Sequence, residues 1–281
     1  MIFWIASYPK SGNTWVRAIL ASILHSEDGN FNFKYLEKIK QFPMEEHFRH
    51  FTDEIWNIDE LAKNWLPSQE RLNLDDKIKY FKTHHAVCRY RDYIFTNVDN
   101  TLATIYVARD PRNVINSLAH HYSLNINEAK EMLFSSKRLL GNKKKSIKKG
   151  SVYTVLGSWG DHYNSWKKLD KKNTLILRYE DLIKDTRLQI IEIINFLKRY
   201  TNVYYTDKKI SNILTSTSFE SFKTHESKYG FIESVTDSKS NKKLNFFNLG
   251  KDNDWKKLLD LNTTKEIESK FSKEMKELGY L

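Results

Sequence analysis

One cysteine, Cys88, occurs in the 281 residues, which excludes an internal disulfide and any cysteine-based metal cluster and fits a reducing compartment. No long uninterrupted apolar stretch is present, and with a mean hydropathy of -0.62 that argues against a membrane span. The opening Met1-Ile-Phe-Trp-Ile-Ala6 has no basic region ahead of it. It runs into Ser7-Tyr8-Pro9-Lys10 after too few apolar residues for a secretory signal, so the expected location is cytoplasmic. Internal repeats, a clear linker and an obvious carboxylate–metal motif are also missing. The length lies within what one α/β layer structure absorbs with long insertions, and a single domain over 1–281 is expected.

What the chain does have is positive charge and aromatic bulk. Lys and Arg outnumber Asp and Glu by 46 to 35, for a net +11. The resulting field attracts anions such as nucleotides, nucleic acids or acidic polysaccharides, without choosing among them. The densest run, Lys143-Lys144-Lys145 with Lys148 and Lys149, lies between Gly141 and Gly150 and reads as a solvated loop rather than a binding site. Hydrophobic residues at 40% and aromatics at 14% supply ample core.

Four apolar runs lack polar alternation and so read as buried parallel strands: Ile2–Ala6, Ile78–Phe81, Leu102–Ala108 and Thr174–Leu177. Helical spacing follows over Thr14 to Leu24, Arg112 to His121 and Arg187 to Leu197. Repeated strand-then-helix order predicts an α/β fold with a central parallel sheet flanked by helices, and sites at the strand exits. Asp28–Leu74 and Glu226–Asn248 show no such regularity.

After the first strand comes Tyr8-Pro9-Lys10-Ser11-Gly12-Asn13-Thr14-Trp15. A Gly-containing turn that opens a helix aims backbone N–H groups and the positive end of the helix dipole at one spot, which suits an anion. The nucleotide loop G-x-x-x-x-G-K-[ST] has another order, since here Lys10 precedes the segment's only glycine. A bare Lys-Ser-Gly would be an ordinary strand-to-helix turn; the whole octet is more specific. The third strand ends in Arg109-Asp110-Pro111-Arg112, with Ser117 two turns along the next helix. The planar fork of Arg109 suits a phosphate, or a local salt bridge with aspartate. Lys79-Tyr80-Phe81-Lys82-Thr83-His84-His85 puts Lys82 and His84 on one side of an extended segment. His84 has the character of a general base, with His85 as a rival.

These segments resemble the cytosolic-type sulfotransferases. Tyr8 to Trp15 is similar to the family's 5′-phosphosulfate loop, Tyr-Pro-Lys-Ser-Gly-Thr-Thr-Trp, with Asn13 the one departure. The resemblance implies a P-loop-like (nucleotide kinase-like) sulfotransferase fold. It implies that Lys10, Ser11, Gly12, Asn13, Thr14 and Trp15 hold the 5′-phosphate, sulfate and adenine side of 3′-phosphoadenosine 5′-phosphosulfate (PAPS). Arg109 and Ser117 match the 3′-phosphate motif, and Lys82-Thr83-His84 matches Lys-Thr-His, with His84 as base and Lys82 near the transferring group. Tyr179 in Arg178-Tyr179-Glu180-Asp181-Leu182 inherits a nucleotide contact, and Thr217, Ser218 and Phe219 an adenine-side one, although Phe219 could equally be core. Ser158 to Trp166 resembles the family's Trp-x-x-His-x-x-x-Trp helix, read as packing. Phe246 to Lys256 is similar to Arg-Lys-Gly-x-x-Gly-Asp-Trp-Lys, which adds Gly250 and Lys251 to the donor site.

That last segment departs from the family: Asn248 and Leu249 replace the Arg-Lys pair, and Asn253 the second Gly. Losing a charge-assisted hydrogen bond weakens donor binding by roughly 1.5–3 kcal/mol unless Lys251 substitutes. The family's dimer signature, Lys-x-x-x-Thr-Val-x-x-x-Glu, is not legible after Trp255, which leaves oligomeric state open.

The implied reaction is in-line sulfuryl transfer to a hydroxyl or amine of a small molecule, with PAP as product, no metal, and neither nucleic acid nor membrane as partner. Lys10 would serve the oxygen bridging to the leaving phosphate and Lys82 the sulfuryl oxygens. Asp28–Leu74 and the segment before Gly250 would line the acceptor pocket, where Trp56, Trp65, Phe48 and His47 suit a ring or are simply core. The rival readings are a P-loop nucleotide kinase or hydrolase, a polyanion-binding module supported only by the +11 charge, and a sulfotransferase fold that has lost activity, which Asn248 and Leu249 favour.

Overall fold

A strand buried on both faces needs no polar alternation, and the first strand lies at the centre of the sheet. In the computed structural model, which describes residues 1–141, 150–237, 240 and 242–281, β1 (Ile2–Ser7) is buried along its whole length. It pairs in parallel with β3 (Lys79–Thr83) on one side and β4 (Thr101–Ala108) on the other, with Ile5 opposite Lys82 and Ala6 opposite Thr83 and Tyr106. β2 (Lys40–Gln41) adds in parallel to β3, and β5 (Thr174–Arg178) completes the order β2-β3-β1-β4-β5. Helices follow the strands: α1 (Asn13–His25), α2 (Pro111–Tyr122), α3 (Trp159–Leu169), α4 (Tyr179–Lys184) and α5 (Thr186–Leu197). This is the expected α/β fold, a parallel sheet flanked by helices, with strand and helix ends within two residues of those read from the sequence.

The chain forms two units, each assembled from three segments. The first comprises Met1–Tyr8, Ile39–Ala108 and Phe134–Ile176. Its core is aromatic: Trp4 is fully buried and meets Phe42, Phe81, Phe95 and Trp166 with ring centroids between 5.6 and 6.2 Å. Its indole N–H donates to Thr101 Oγ1 at 3.1 Å. The stretch Asp28–Leu74 is more regular than its sequence pattern, containing β2 and helices over Ile58–Lys63 and Trp65–Asn73. These elements are too short for a period to establish itself. Phe48 and Trp65 are fully buried, so both are core rather than the lining of an acceptor pocket.

The second unit comprises Pro9–Lys38, Arg109–Leu133 and Leu177–Leu281. Phe222, Phe231 and Phe247 form its apolar centre with Ala18 and Leu36. Arg112, 5% exposed, is neutralised by Asp110 at 2.7 Å and by Glu268, and donates to the carbonyl of Tyr280 at 2.8 Å. The segment near the C-terminus is thereby tied to the start of α2. The lysine run 143–149 lies outside the described residues. Among the described residues no helix is long and apolar enough to cross a membrane.

Truncating Trp4 to Ala removes the hub of the aromatic core and should cost about 3–5 kcal/mol. Urea unfolding will show a clearly lowered midpoint; an unchanged one would contradict this account of the core.

Candidate active site

In the second unit the chain turns from Pro9 into α1 through two residues in the left-handed region, Lys10 at φ 65° and Gly12 at φ 103°. Gly12 is required twice over. Its conformation is strained for an L side chain, and a Cβ there would lie 2.6 Å from Cδ2 of Tyr179. No side chain caps the start of α1, so the first-turn N–H groups face the loop as an uncapped positive dipole end. The buried polar atoms nearby that have no hydrogen-bond partner among the described residues include Ser11 Oγ, Trp15 Nε1 and Arg109 Nε. An indole and a guanidinium nitrogen can only donate, and a hydroxyl can, so all three lack an acceptor. An anionic oxygen cluster fits that deficit.

Arg109 is 7% exposed. One Nη1 hydrogen bond goes to the carbonyl of Lys10 at 2.9 Å and a longer one to Ser117 Oγ at 3.4 Å. Its guanidinium lies 4.1 Å over the Tyr179 ring, and that ring meets Trp15 edge-on at 5.8 Å. Resemblance had placed Lys10, Gly12, Arg109, Ser117 and Tyr179 in one site, and the structure brings them together. Ser117 Oγ also accepts from Asn253 Nδ2 at 3.0 Å, while the same amide donates to the carbonyl of Asn113 at 2.9 Å. Accepting from both neighbours leaves the Ser117 hydrogen to be donated elsewhere. A cavity of about 200 Å³ opens beside these groups, lined by Arg109, Tyr179, Glu180, Lys251, Asn253 and Trp255 among others. Burial pushes the Glu180 carboxyl above its ordinary value, against the opposing pull of the Asp110 N–H and the Tyr280 hydroxyl.

Other predicted donor residues are engaged differently. Thr14 Oγ1 donates to Glu233 at 3.2 Å, a carboxylate that also pairs with buried Arg17 at 2.8 Å. Thr217 is fully buried and its hydroxyl closes back on the carbonyl of Ile213 at 2.7 Å. Ser218 caps the following helix. Phe219 packs on Gly250, where a Cβ would meet its ring at 2.7 Å. Asn13 is buried at the start of α1.

Sequence reasoning did not find Phe246, Glu226 or the hydrogen bonding of Asn253. The ammonium of Lys10 lies 3.7 Å over the Phe246 ring. Buried Glu226 fixes that loop by accepting from the N–H groups of Phe246 and Phe247 at 2.7 and 2.9 Å. The one available signal was Asn253 in place of a glycine.

In the first unit, Lys82 is 4% exposed near the end of β3, and His84 follows the strand half-buried. His84 Nδ1 lies 2.8 Å from the carbonyl of Ser7 and 3.3 Å from its hydroxyl. A carbonyl only accepts, so Nδ1 carries the hydrogen and Nε2 is the basic nitrogen. His85 points into the core: fully buried, stacked on Phe95 at 3.8 Å, and donating from Nδ1 to the carbonyl of Ala86 at 2.7 Å. Burial pulls its pKa down to about 3. Helix α3, read from the sequence as packing, also holds this strand exit by hydrogen bonds. His162 and Trp166 donate to the carbonyls of His84 and His85 at 3.1 and 2.9 Å, and Ser165 Oγ accepts from Val87 N–H at 3.0 Å.

Comparison with known proteins identifies the family. Residues 2–279 match the family model "Sulfotransferase domain", and the chain belongs to that family. It is therefore a transferase of the PAPS-dependent sulfotransferase class. It is similar to sulfotransferase 1B1 of Canis lupus familiaris, with 27% identity over 96% of this chain and 82% of the relative. It is 30% identical to luciferin sulfotransferase of Photinus pyralis over 79% of this chain and 56% of that one. In fold it matches retinol dehydratase, solved with androsterone and inactive cofactor PAP, at a TM-score of 0.61 and 20% identity over 98% of this chain and 80% of the other. Mouse sulfotransferase SULT7A1, complexed with PAP, matches at 0.55 and 20% identity over 98% and 83%.

Three histidines of the first unit are held neutral by burial, His85 and His162 with pKa values of about 3 and His47 of about 4. Each takes up a proton near pH ~6.5 in the unfolded chain, so the unfolded state binds more protons below that pH. Stability should then be complete above pH ~6.5 and fall by about 1.4 kcal/mol per pH unit for each histidine on acidification toward the folded values. Urea midpoints measured from pH 7.5 down to 5 will show that fall, and His47→Gln will make it shallower by one proton. A slope that His47→Gln leaves untouched would contradict the assignment.

Proposed function

We propose that this chain is one sulfotransferase domain over 1–281 that transfers the sulfuryl group of PAPS to a hydroxyl or amine of a small molecule by in-line displacement. The observation that carries the donor assignment is the set of three buried donors with no acceptor among the described residues, Ser11 Oγ, Trp15 Nε1 and Arg109 Nε. The family supplies the chemistry; these atoms supply a reason for a phosphate-bearing ligand in this chain. Small-molecule acceptors are supported by the relatives' names, among them a 3-beta-hydroxysteroid sulfotransferase from Cavia porcellus and an amine sulfotransferase from Oryctolagus cuniculus. The cytosolic type of the resemblance supports a cytoplasmic location.

The residues divide the work by charge and by proton position. The loop from Lys10 to Trp15 binds the 5′-phosphosulfate through its N–H groups and side-chain donors. Arg109 and Ser117 bind the 3′-phosphate, with Lys251 adding charge and Asn253 aligning Ser117. Tyr179 and Phe219 bound the nucleotide. His84 takes the acceptor proton on Nε2 while its Nδ1–H stays on Ser7. As the sulfur–oxygen bond to the acceptor forms and the bond to the leaving phosphate breaks, Lys82 offsets charge on the sulfuryl oxygens and Lys10 on the bridging oxygen. Fixed cations do here what a metal does in kinases, so the proposal involves none.

Calorimetry without magnesium should find PAP binding to the wild type, weakened at least tenfold by Lys10→Ala and by Arg109→Ala. Absence of wild-type binding would sink the donor reading. Asn253→Ala should weaken PAP binding by about three- to tenfold, the cost of one neutral hydrogen bond. His84→Ala should retain PAP binding and lower turnover by roughly 10²–10³ at saturating substrates; full turnover would mean another base.

A further inference from the structure

The hydrogen bonds around His84 form a closed circuit that runs beyond Ser7 through Tyr8, Tyr106 and His162, to which the proposed chemistry gives no role. The His84 ring donates from Nδ1 to the carbonyl of Ser7 at 2.8 Å. The other end of that same peptide unit, the N–H of Tyr8, donates to the hydroxyl of Tyr106. Tyr106 is 3.0 Å from His162 Nδ1, and His162 Nε2 is 3.1 Å from the carbonyl of His84. The directions are fixed by chemistry. A carbonyl cannot donate, so Nε2 of His162 carries the hydrogen. His162 is fully buried and neutral, its pKa held at about 3 by desolvation, so Nδ1 has a lone pair and must accept from Tyr106.

We infer that His162 is a positioning residue that clamps the backbone of His84, with Tyr106 selecting the His162 tautomer that can donate to the His84 carbonyl. The Ser7–Tyr8 peptide thus grips His84 twice: at the ring directly, and at the backbone through Tyr106 and His162. The ring hydrogen bond fixes the imidazole relative to Ser7, and the backbone hydrogen bond fixes the main chain from which its χ angles start. The neutral state suits this task, because protonated His162 would have two N–H groups and Tyr106 would have to reverse its hydroxyl, which already accepts from Tyr8. Packing around His162 limits the alternatives, with the Tyr8 ring edge-on at 5.7 Å and the Tyr106 ring at the same distance. The helix that carries His162 therefore belongs to the catalytic apparatus as its support, without touching substrate.

This inference rests on His84 as the base, and the test separates the two. Full-length wild type, His162→Phe, His162→Gln, Tyr106→Phe and His84→Ala are compared by imidazole ¹⁵N spectra, PAP calorimetry, and PAPS turnover with 4-nitrophenol and 2-naphthylamine as probe acceptors. In the wild type, His84 should show the Nδ1–H tautomer and His162 the Nε2–H tautomer. His162→Phe has no donor, and should give a mixed His84 tautomer and roughly 10- to 100-fold lower kcat with unchanged PAP affinity. His162→Gln returns an N–H at the position of Nε2 and should recover to within about threefold of wild type. Tyr106→Phe removes one oxygen and keeps the ring, so it serves even where His162→Phe folds poorly; it should give an intermediate loss with a mixed His162 tautomer. An unchanged His84 tautomer in both Phe variants overturns the inference whatever the turnover, as does equal loss in His162→Gln and His162→Phe. Full turnover in His84→Ala overturns the base assignment instead, and leaves the spectroscopic comparison to decide the clamp.

Discussion

The peptide joining Ser7 to Tyr8 is the constraint on which the end of the sheet depends. It lies where β1, buried along its whole length, ends at Ser7, which is still in register with Val107 of β4. An unpaired buried peptide costs about as much as a lost hydrogen bond for each end. The chain satisfies both ends with side chains, His84 on the carbonyl and Tyr106 on the N–H. One requirement of folding thus fixes which imidazole nitrogen is basic. With His84 as the proposed base, stability and chemistry would be linked here because they use the same two atoms, and the link needs no special strain.

The loop of the proposed donor site is built on the opposite principle, with buried donors that have no acceptor among the described residues. A buried donor without an acceptor costs ~1–3 kcal/mol, and Ser11, Trp15 and Arg109 each present one. Such a loop keeps its shape because other contacts over-determine it: the Tyr179 ring on Gly12, the Arg109 guanidinium on that ring, and the Lys10 carbonyl as acceptor for Arg109. Binding an anion then pays back a cost already incurred in folding, and gains little from rearrangement. By linkage, a ligand at a hundred times its dissociation constant adds ~2.7 kcal/mol to the stability of such a protein.

Much of this was legible in the sequence, for physical reasons that also explain the gaps. The strands of the sheet centre are uninterrupted apolar runs because both faces are covered, and the three long helices announce themselves by period or by Pro111 at the first turn. The loop from Tyr8 to Trp15 was legible because glycine and lysine are needed there at fixed places. Nothing local marks Glu226 as the residue that shapes the Phe246 loop, since it acts on backbone N–H groups 20 and 21 positions away. His162 reads as one more core residue of an aromatic helix; its two hydrogen bonds run to residues 56 and 78 positions distant. His84 and His85 are neighbours just past the end of β3, and only tertiary contacts separate them: His84 on the Ser7 carbonyl, His85 stacked on Phe95 in the core.

The departure near the C-terminus changes how the 3′-phosphate would be read. Asn248 and Leu249 stand exposed where the resemblance calls for two cations, so that positive charge is lost. Lys251 lines the cavity from the same turn, and Asn253, where a glycine would leave backbone only, sends its amide to Ser117. In the proposed donor site, recognition would shift from summed charge toward direction, because an amide that fixes a hydroxyl hydrogen works at contact distance and an exposed cation works through the field. Exposed charges are screened within about a Debye length, ~8 Å at physiological salt, whereas buried hydrogen bonds are screened far less. A donor site that relies on Arg109, Ser117 and Asn253 is accordingly one whose affinity depends more on geometry than on ionic strength, and its weak point is the alignment of Ser117.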